Sequence, residues 1–109
     1  MLTQNDFLNY KQAYDVYGTT KQLDKYGNEY TVRDDTAKCQ ITVMWQVLTD
    51  TADIAEYGAE VSSMYFCILY DDAALEHGDV VIIRGDEYEI AGIKHFNMYD
   101  RIDVRKKKV

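Results

Sequence analysis

Between residues 38 and 48 the segment KCQITVMWQVL sets Cys39, Ile41, Val43, Trp45 and Val47 at every second position. A period of two puts these side chains on one face of a pleated strand, so the pattern predicts a core strand with Trp45 buried. Upstream, alternation at Tyr10, Gln12, Tyr14 and Val16 predicts another strand, which Gly18 ends. The opening LTQNDFLNYKQAY reads as a short helical turn or an irregular polar arm leading into it, and TTKQL as a loose loop after it. The turn-forming run DKYGN at 24–28 then opens a second strand, with Tyr26, Tyr30 and Val32 as its larger side chains. The two strands together form a hairpin.

Past residue 48 the spacing changes. Thr49 or Asp50 is placed to cap a helix over TADIAEY, with Asp53 in its first turn and Gly58 as its stop, which leaves room for two turns at most. The segment EVSSMYFCILY at 60–70 predicts a long strand whose continuous apolar run, Met64 to Tyr70, fits burial on both faces and a central place in the sheet. After the acidic loop DDAALEHGD come DVVII at 79–83, a tight turn at Arg84–Gly85–Asp86, and EYEIAGI at 87–93, a strong hairpin signal. A last strand, YDRIDVRK at 99–106, alternates Ile102 and Val104 with charges and closes the sheet. The expected fold is mainly β: a small closed or partly open antiparallel β-barrel of six to seven short strands, with one short helix inserted between central strands. Closure is favoured because an open sheet of this size leaves unpaired edges.

Composition changes this picture little. At 109 residues, 47% hydrophobic and 28% charged, the chain fits one domain, 1–109, with a polar N-terminal arm and a basic C-terminal tail. It holds no long apolar run and no signal-peptide pattern, from which a soluble, cytoplasmic protein is expected, with no membrane partner. Cys39 and Cys67 lie in apolar segments and read as buried thiols.

Charge is more informative. Five of the twelve basic residues, Arg101, Arg105, Lys106, Lys107 and Lys108, crowd the C-terminal end, so residues 1–99 hold 7 basic against 17 acidic residues, a balance of −10. Such a body repels phosphate backbones, and general nucleic-acid binding is disfavoured. The basic end is a candidate contact for an acidic partner or DNA, although a solvated terminus explains it more simply.

The densest cluster of titratable side chains, Asp71, Asp72, Glu76, His77 and Asp79, lacks calcium-loop spacing and reads as a solvated loop. His77 has no matching nucleophile, His95 reads as a structural histidine, and the two cysteines and two histidines lack zinc-ligand spacing. No catalytic residue, metal or cofactor is therefore expected. Tyr57, Tyr65, Tyr70, Tyr88 and Tyr99 are divided between core and interface, with Tyr57 and Ile54 on the short helix the best candidates for exposure.

The order of these features resembles the head-closure or head–tail adaptor proteins of long-tailed bacteriophages, the connector or minor capsid family. The likeness runs through DKYGNEY, MWQVL, the helical insert TDTADIAEYGAEV, YFCILYDD and the block HGDVVIIRGDEYEIAGIKHFN. The last is the most specific, since it resembles a hairpin common in that family.

The resemblance implies a non-enzymatic small barrel of the virion neck, assembled as a ring in the host cytoplasm. It would meet a portal protein or adaptor above and a tail-completion protein below, while DNA passes without sequence-specific binding. It further implies that the insert at 49–61, with Asp50, Asp53, Ile54, Glu56, Tyr57 and Glu60, reaches toward the tunnel or a neighbouring subunit. Arg101, Arg105, Lys106, Lys107 and Lys108 are the candidate tail contacts. The competing expectation is a small OB or SH3-like barrel that binds single-stranded nucleic acid or peptide through stacking aromatics.

Overall fold

A computed structural model describes residues 10–70 and 73–107; the first nine residues, Asp71, Asp72, Lys108 and Val109 lie outside it, and with them most of the expected N-terminal arm. Alternation becomes structure most directly in the first strand, β1 (Gln12–Leu23), where Tyr14 and Val16 turn inward. β1 does not stop at Gly18. It continues to Leu23, paired throughout with β2 (Glu29–Val43), and Gly18 serves a close approach: a Cβ there would stand 3.0 Å from the Asp34 carboxylate, where the ladder is irregular. The turn between the strands is held by Asp24, whose carboxylate accepts from the backbone N–H groups of Tyr26 and Asn28.

β2 is one strand of 15 residues where two were expected, and the expected strand 38–48 is in turn broken. Its first part, to Val43, pairs with β1; after Met44 and Trp45 the chain resumes as β3 (Gln46–Val47) and pairs with β4 (Met64–Leu69). Trp45 at the break is fully buried. The sheet runs β2-β1-β5-β6-β7-β4-β3, all pairs antiparallel, with β5 Val80–Ile83, β6 Asp86–His95 and β7 Asp100–Lys106. One length of chain, β2 into β3, thus serves both edges. The sheet curls toward a barrel without full ladder closure.

β5 and β6 form the expected hairpin, and Arg84 (φ 53°) and Gly85 (φ 84°) are both left-handed, as a two-residue turn of the I′ kind requires. β4 departs from expectation. It starts at Met64, because Gly58–Ser63 forms a 3₁₀ turn in which Ser62 and Ser63 donate to the carbonyls of Ala59 and Glu60. β4 also lies next to the edge rather than at the centre, which β6 occupies, and only Met64, Cys67 and Leu69 are buried while Tyr65, Phe66 and Ile68 are half-covered. The inner face joins Val16, Ile41, Val43, Trp45, Cys67, Val81, Ile90, Ile102 and Val104 in one core, and Ala73 and Leu75 of the β4–β5 connection pack against it.

Candidate assembly surfaces

The helix α1 (Thr51–Tyr57) has Asp50 as its N-cap and Gly58, at φ 63°, as its C-cap, where the sequence placed them. How it is attached is less ordinary. Of the thirteen residues in α1 and the 3₁₀ turn, the only one buried is Asp53, so no apolar side chain anchors the insert in the core. Charge does so instead. On β7, Ile102 and Val104 face the core and Asp103 faces outward, yet Asp103 is 0% exposed.

The Tyr57 hydroxyl donates to Asp103 Oδ2 at 2.6 Å, and Arg101 Nε donates to Oδ1 at 2.8 Å. The same guanidinium donates through Nη2 to Asp53 Oδ1 at 2.8 Å and lies 4.2 Å over the Phe66 ring. Lys94 Nζ donates to Glu56 Oε1 at 2.7 Å and sits 3.7 Å from Asp103. Arg101 thus spans two buried carboxylates, one on the insert and one on the sheet, which its planar fork can do and a single ammonium cannot.

Gly92 makes room for this clamp. It lies opposite Asp103 at a β-bulge, and a Cβ there would stand 2.5 Å from the Tyr57 hydroxyl and 3.2 Å from Asp103 Oδ2. Burial, reinforced by the bond to Asp103, drives the Tyr57 hydroxyl far above its ordinary range and keeps it a donor. The hydrogen bond from Lys94 holds the Glu56 carboxyl below its usual range.

The structure therefore brings together the two groups of candidate residues that the sequence kept apart. Asp53 meets Arg101, and Glu60 meets Arg105 at 3.2 Å, with Glu89 on the other side of Arg105 at 2.7 Å. Lys106 and Lys107 stand 3.6 and 3.7 Å from Asp86 and Glu87. The basic end is not a loose tail up to that point: Arg101, Arg105 and Lys106 belong to β7, and strand pairing aligns them with acids on β6 and the insert. Lys108 lies outside the described residues. Of the other insert candidates, Tyr57 is turned onto the sheet instead of outward, whereas Asp50 and Ile54 are exposed.

The acidic loop is likewise engaged: Asp79 is buried, pairs with Lys38 and accepts from the Glu76 backbone N–H, while Asp71 and Asp72 lie outside the described residues. His95 pairs with Asp100 at 2.8 Å. Among the described residues no helix is long and apolar enough to cross a membrane.

Two exposed surfaces were legible only in part, since Tyr70 and Tyr99 were among the tyrosines divided between core and interface and the rest were not named for it. Beyond Tyr17, β1 and β2 leave the sheet as a two-stranded arm carrying Leu23, Tyr26, Tyr30 and Val32 in solvent. At the β6–β7 turn, Phe96 stacks on Tyr99 at 4.9 Å, Tyr99 meets Tyr70 at 6.1 Å, and Met98 is 80% exposed. The available signal was HFNM, two large apolar residues in a turn between polar ends. Such a patch is unusual where burial has no structural purpose.

Burial elsewhere sets an alkaline limit on stability. Burial pushes the Tyr88 hydroxyl and the Cys67 thiol up to about 12, and Tyr57 higher still. The unfolded chain releases these protons from about pH 9 to 10, while the folded chain retains them. Their stabilisation is thus complete below that range and is lost as pH rises toward about 12. Urea midpoints should fall from about pH 9 upward; a flat profile would contradict the burial of these groups. Cys67 should resist alkylation until the chain unfolds.

Neither protein-family models nor curated protein sequences contain a match to this chain. Among solved structures it is similar to the phage-like element PBSX protein xkdH from Bacillus subtilis, with a TM-score of 0.55 and 10% sequence identity. The likeness covers 89% of this chain and 96% of that one, so the two share a fold over nearly their whole lengths.

Proposed function

We propose that this chain is a structural virion protein, a head-closure or head–tail connector component that joins the portal to the tail and helps retain packaged DNA. The observation that carries the proposal is the shared fold with a protein of a phage-like element across 89% of the chain. The sequence resemblance, most specific in the block that folds as β5 and β6, points the same way. The acidic body fits a channel wall along which DNA slides without sticking. Ion pairs to acidic neighbours further blunt the pull of Arg101, Arg105, Lys106 and Lys107 on phosphate.

The test is co-expression with the portal and tail-completion proteins of the same genome, together with loss of the gene. A stable complex with either protein is expected, and without the gene, filled heads should leak DNA and fail to accept tails. Tailed, infectious particles formed without this chain would end the proposal. Micromolar, salt-dependent binding to single-stranded oligonucleotides would favour the nucleic-acid-binding barrel instead.

A further inference from the structure

The β1–β2 arm leaves the sheet at a joint. β1 pairs with β5 only through Val16–Val81 and Tyr17–Val80, and its register with β2 shifts on both sides of Tyr17, so the ladder is irregular where the arm departs. Gly18 comes next. The Asp34 carboxylate and the Lys38 stem lie 3.0 and 3.7 Å from where its Cβ would stand. No side chain between Gly18 and Gln40 is buried, so apolar packing does not fix the angle of the arm, and two strands alone are marginal in water.

Two charged contacts fix it instead. Lys38 passes Gly18 to pair with Asp79, which is buried just ahead of β5, and Arg33 lies 4.6 Å over the Tyr17 ring and pairs with Glu87 at 3.8 Å. Directly opposed residues of antiparallel strands share a face, so Tyr17, Val80, Ile82, Glu87 and Glu89 all stand on the outer face of the sheet. Arg33 is level with Thr19, two residues to one side of the Tyr17–Val80 pair, whereas Glu87 is level with Ile82, two residues to the other. At about 3.3 Å per residue a straight arm would leave them roughly 13 Å apart along the strands alone. The arm therefore leans back over the outer face. Val80 on that face is 1% exposed although it is not part of the core, so the face is covered at this point.

We propose that the β1–β2 arm is a hinged flap, which turns as one hairpin about Gly18 and is held down on the outer face of β5 and β6 by the Arg33–Glu87 and Lys38–Asp79 pairs. Parting those pairs breaks no backbone hydrogen bond of the hairpin, so the arm lifts intact. Lifted, it bares Val80 and Ile82, two apolar side chains on a face that otherwise carries Glu87 and Glu89. The flap belongs to the single chain and does not depend on the connector role.

The test is a spin-label distance measurement between Tyr26→Cys at the arm tip and Met98→Cys on the body, in full-length Cys39→Ser protein, where the remaining Cys67 is fully buried. The parent should show one distance at low salt. Arg33→Gln combined with Lys38→Ala should raise a second distance to about ten times its parental share. Arg33→Gln alone, which cuts only the pair nearer the surface, should raise it in part, and it decides the matter if the double variant does not fold. Hydrogen exchange along the β1–β2 ladder above Gly18 should stay as slow as in the parent, because a turning hairpin keeps its bonds. Unchanged distances in the variants overturn the flap, as does a parent that already shows both. Faster exchange within the arm of the variants also overturns it, since the hairpin then unravels rather than turns.

Discussion

Replacing Arg101 by methionine is expected to destabilise the protein by about 3–5 kcal/mol, the loss seen when one partner of a buried ion pair is removed. Asp53 and Asp103 are both buried, and Arg101 is the cation hydrogen-bonded to each. Without it, Asp103 retains the Tyr57 hydroxyl and a lysine 3.7 Å away, and two negative charges face each other across the joint between insert and sheet. At about 4–8 °C per kcal/mol for a chain near this size, the melting temperature should drop by at least about 12 °C.

Arg105→Met is the control. Its partner Glu60 is exposed and Glu89 only half-buried, and its loss should cost about 1 kcal/mol or less. Calorimetry on the two variants decides the matter: equal losses would mean that Arg101 is no clamp. Hydrogen exchange should add that residues 51–63 lose protection first in the Arg101 variant, because no buried apolar side chain holds them.

Trp45→Ala should cost a similar amount, about 3–5 kcal/mol, for a different reason. Trp45 is 0% exposed, packs edge-on against Tyr14 at 5.8 Å, and fills the point at which the chain changes from the β1 edge to the β4 edge. Its indole N–H and the Tyr14 hydroxyl meet no protein partner among the described residues. Trp45→Phe therefore gives up no hydrogen bond and should cost only about 1 kcal/mol. Urea unfolding followed by circular dichroism measures both. A phenylalanine variant as unstable as the alanine one would show that the N–H has a partner after all. The alanine cavity should also loosen the two-residue β3–β4 pairing, visible as faster exchange at Gln46 and Val47.

These two residues mark where sequence reasoning succeeded and where it stopped. The inward position of Trp45 was legible, because a period of two assigns a face without reference to any partner. The break beside it was not, since KCQITVMWQVL alternates without interruption, and which neighbour a strand bonds to is a long-range matter. Gly18 misled for a related reason: glycine ends strands as a rule, but here it lets Asp34 come close within a strand that continues. Arg101 and Asp53 were both named as candidates, one for a tail and one for an insert. Their 48-residue separation hid that they are partners.

What the sequence alone determined is local: a β protein with one short helix between Asp50 and Gly58, a tight turn at Arg84–Gly85–Asp86, and inward positions at Val16, Ile41, Ile102 and Val104. Each follows from spacing or backbone preference within a few residues. The tertiary structure decided the rest: the order of the strands, the double use of β2 and β3, the salt-bridged seat of the insert, and the stacking of Phe96 on Tyr99 at the β6–β7 turn. Those depend on which surfaces are brought together when the chain closes on itself. Residue spacing carries no record of that, because the same alternation can pair in many orders.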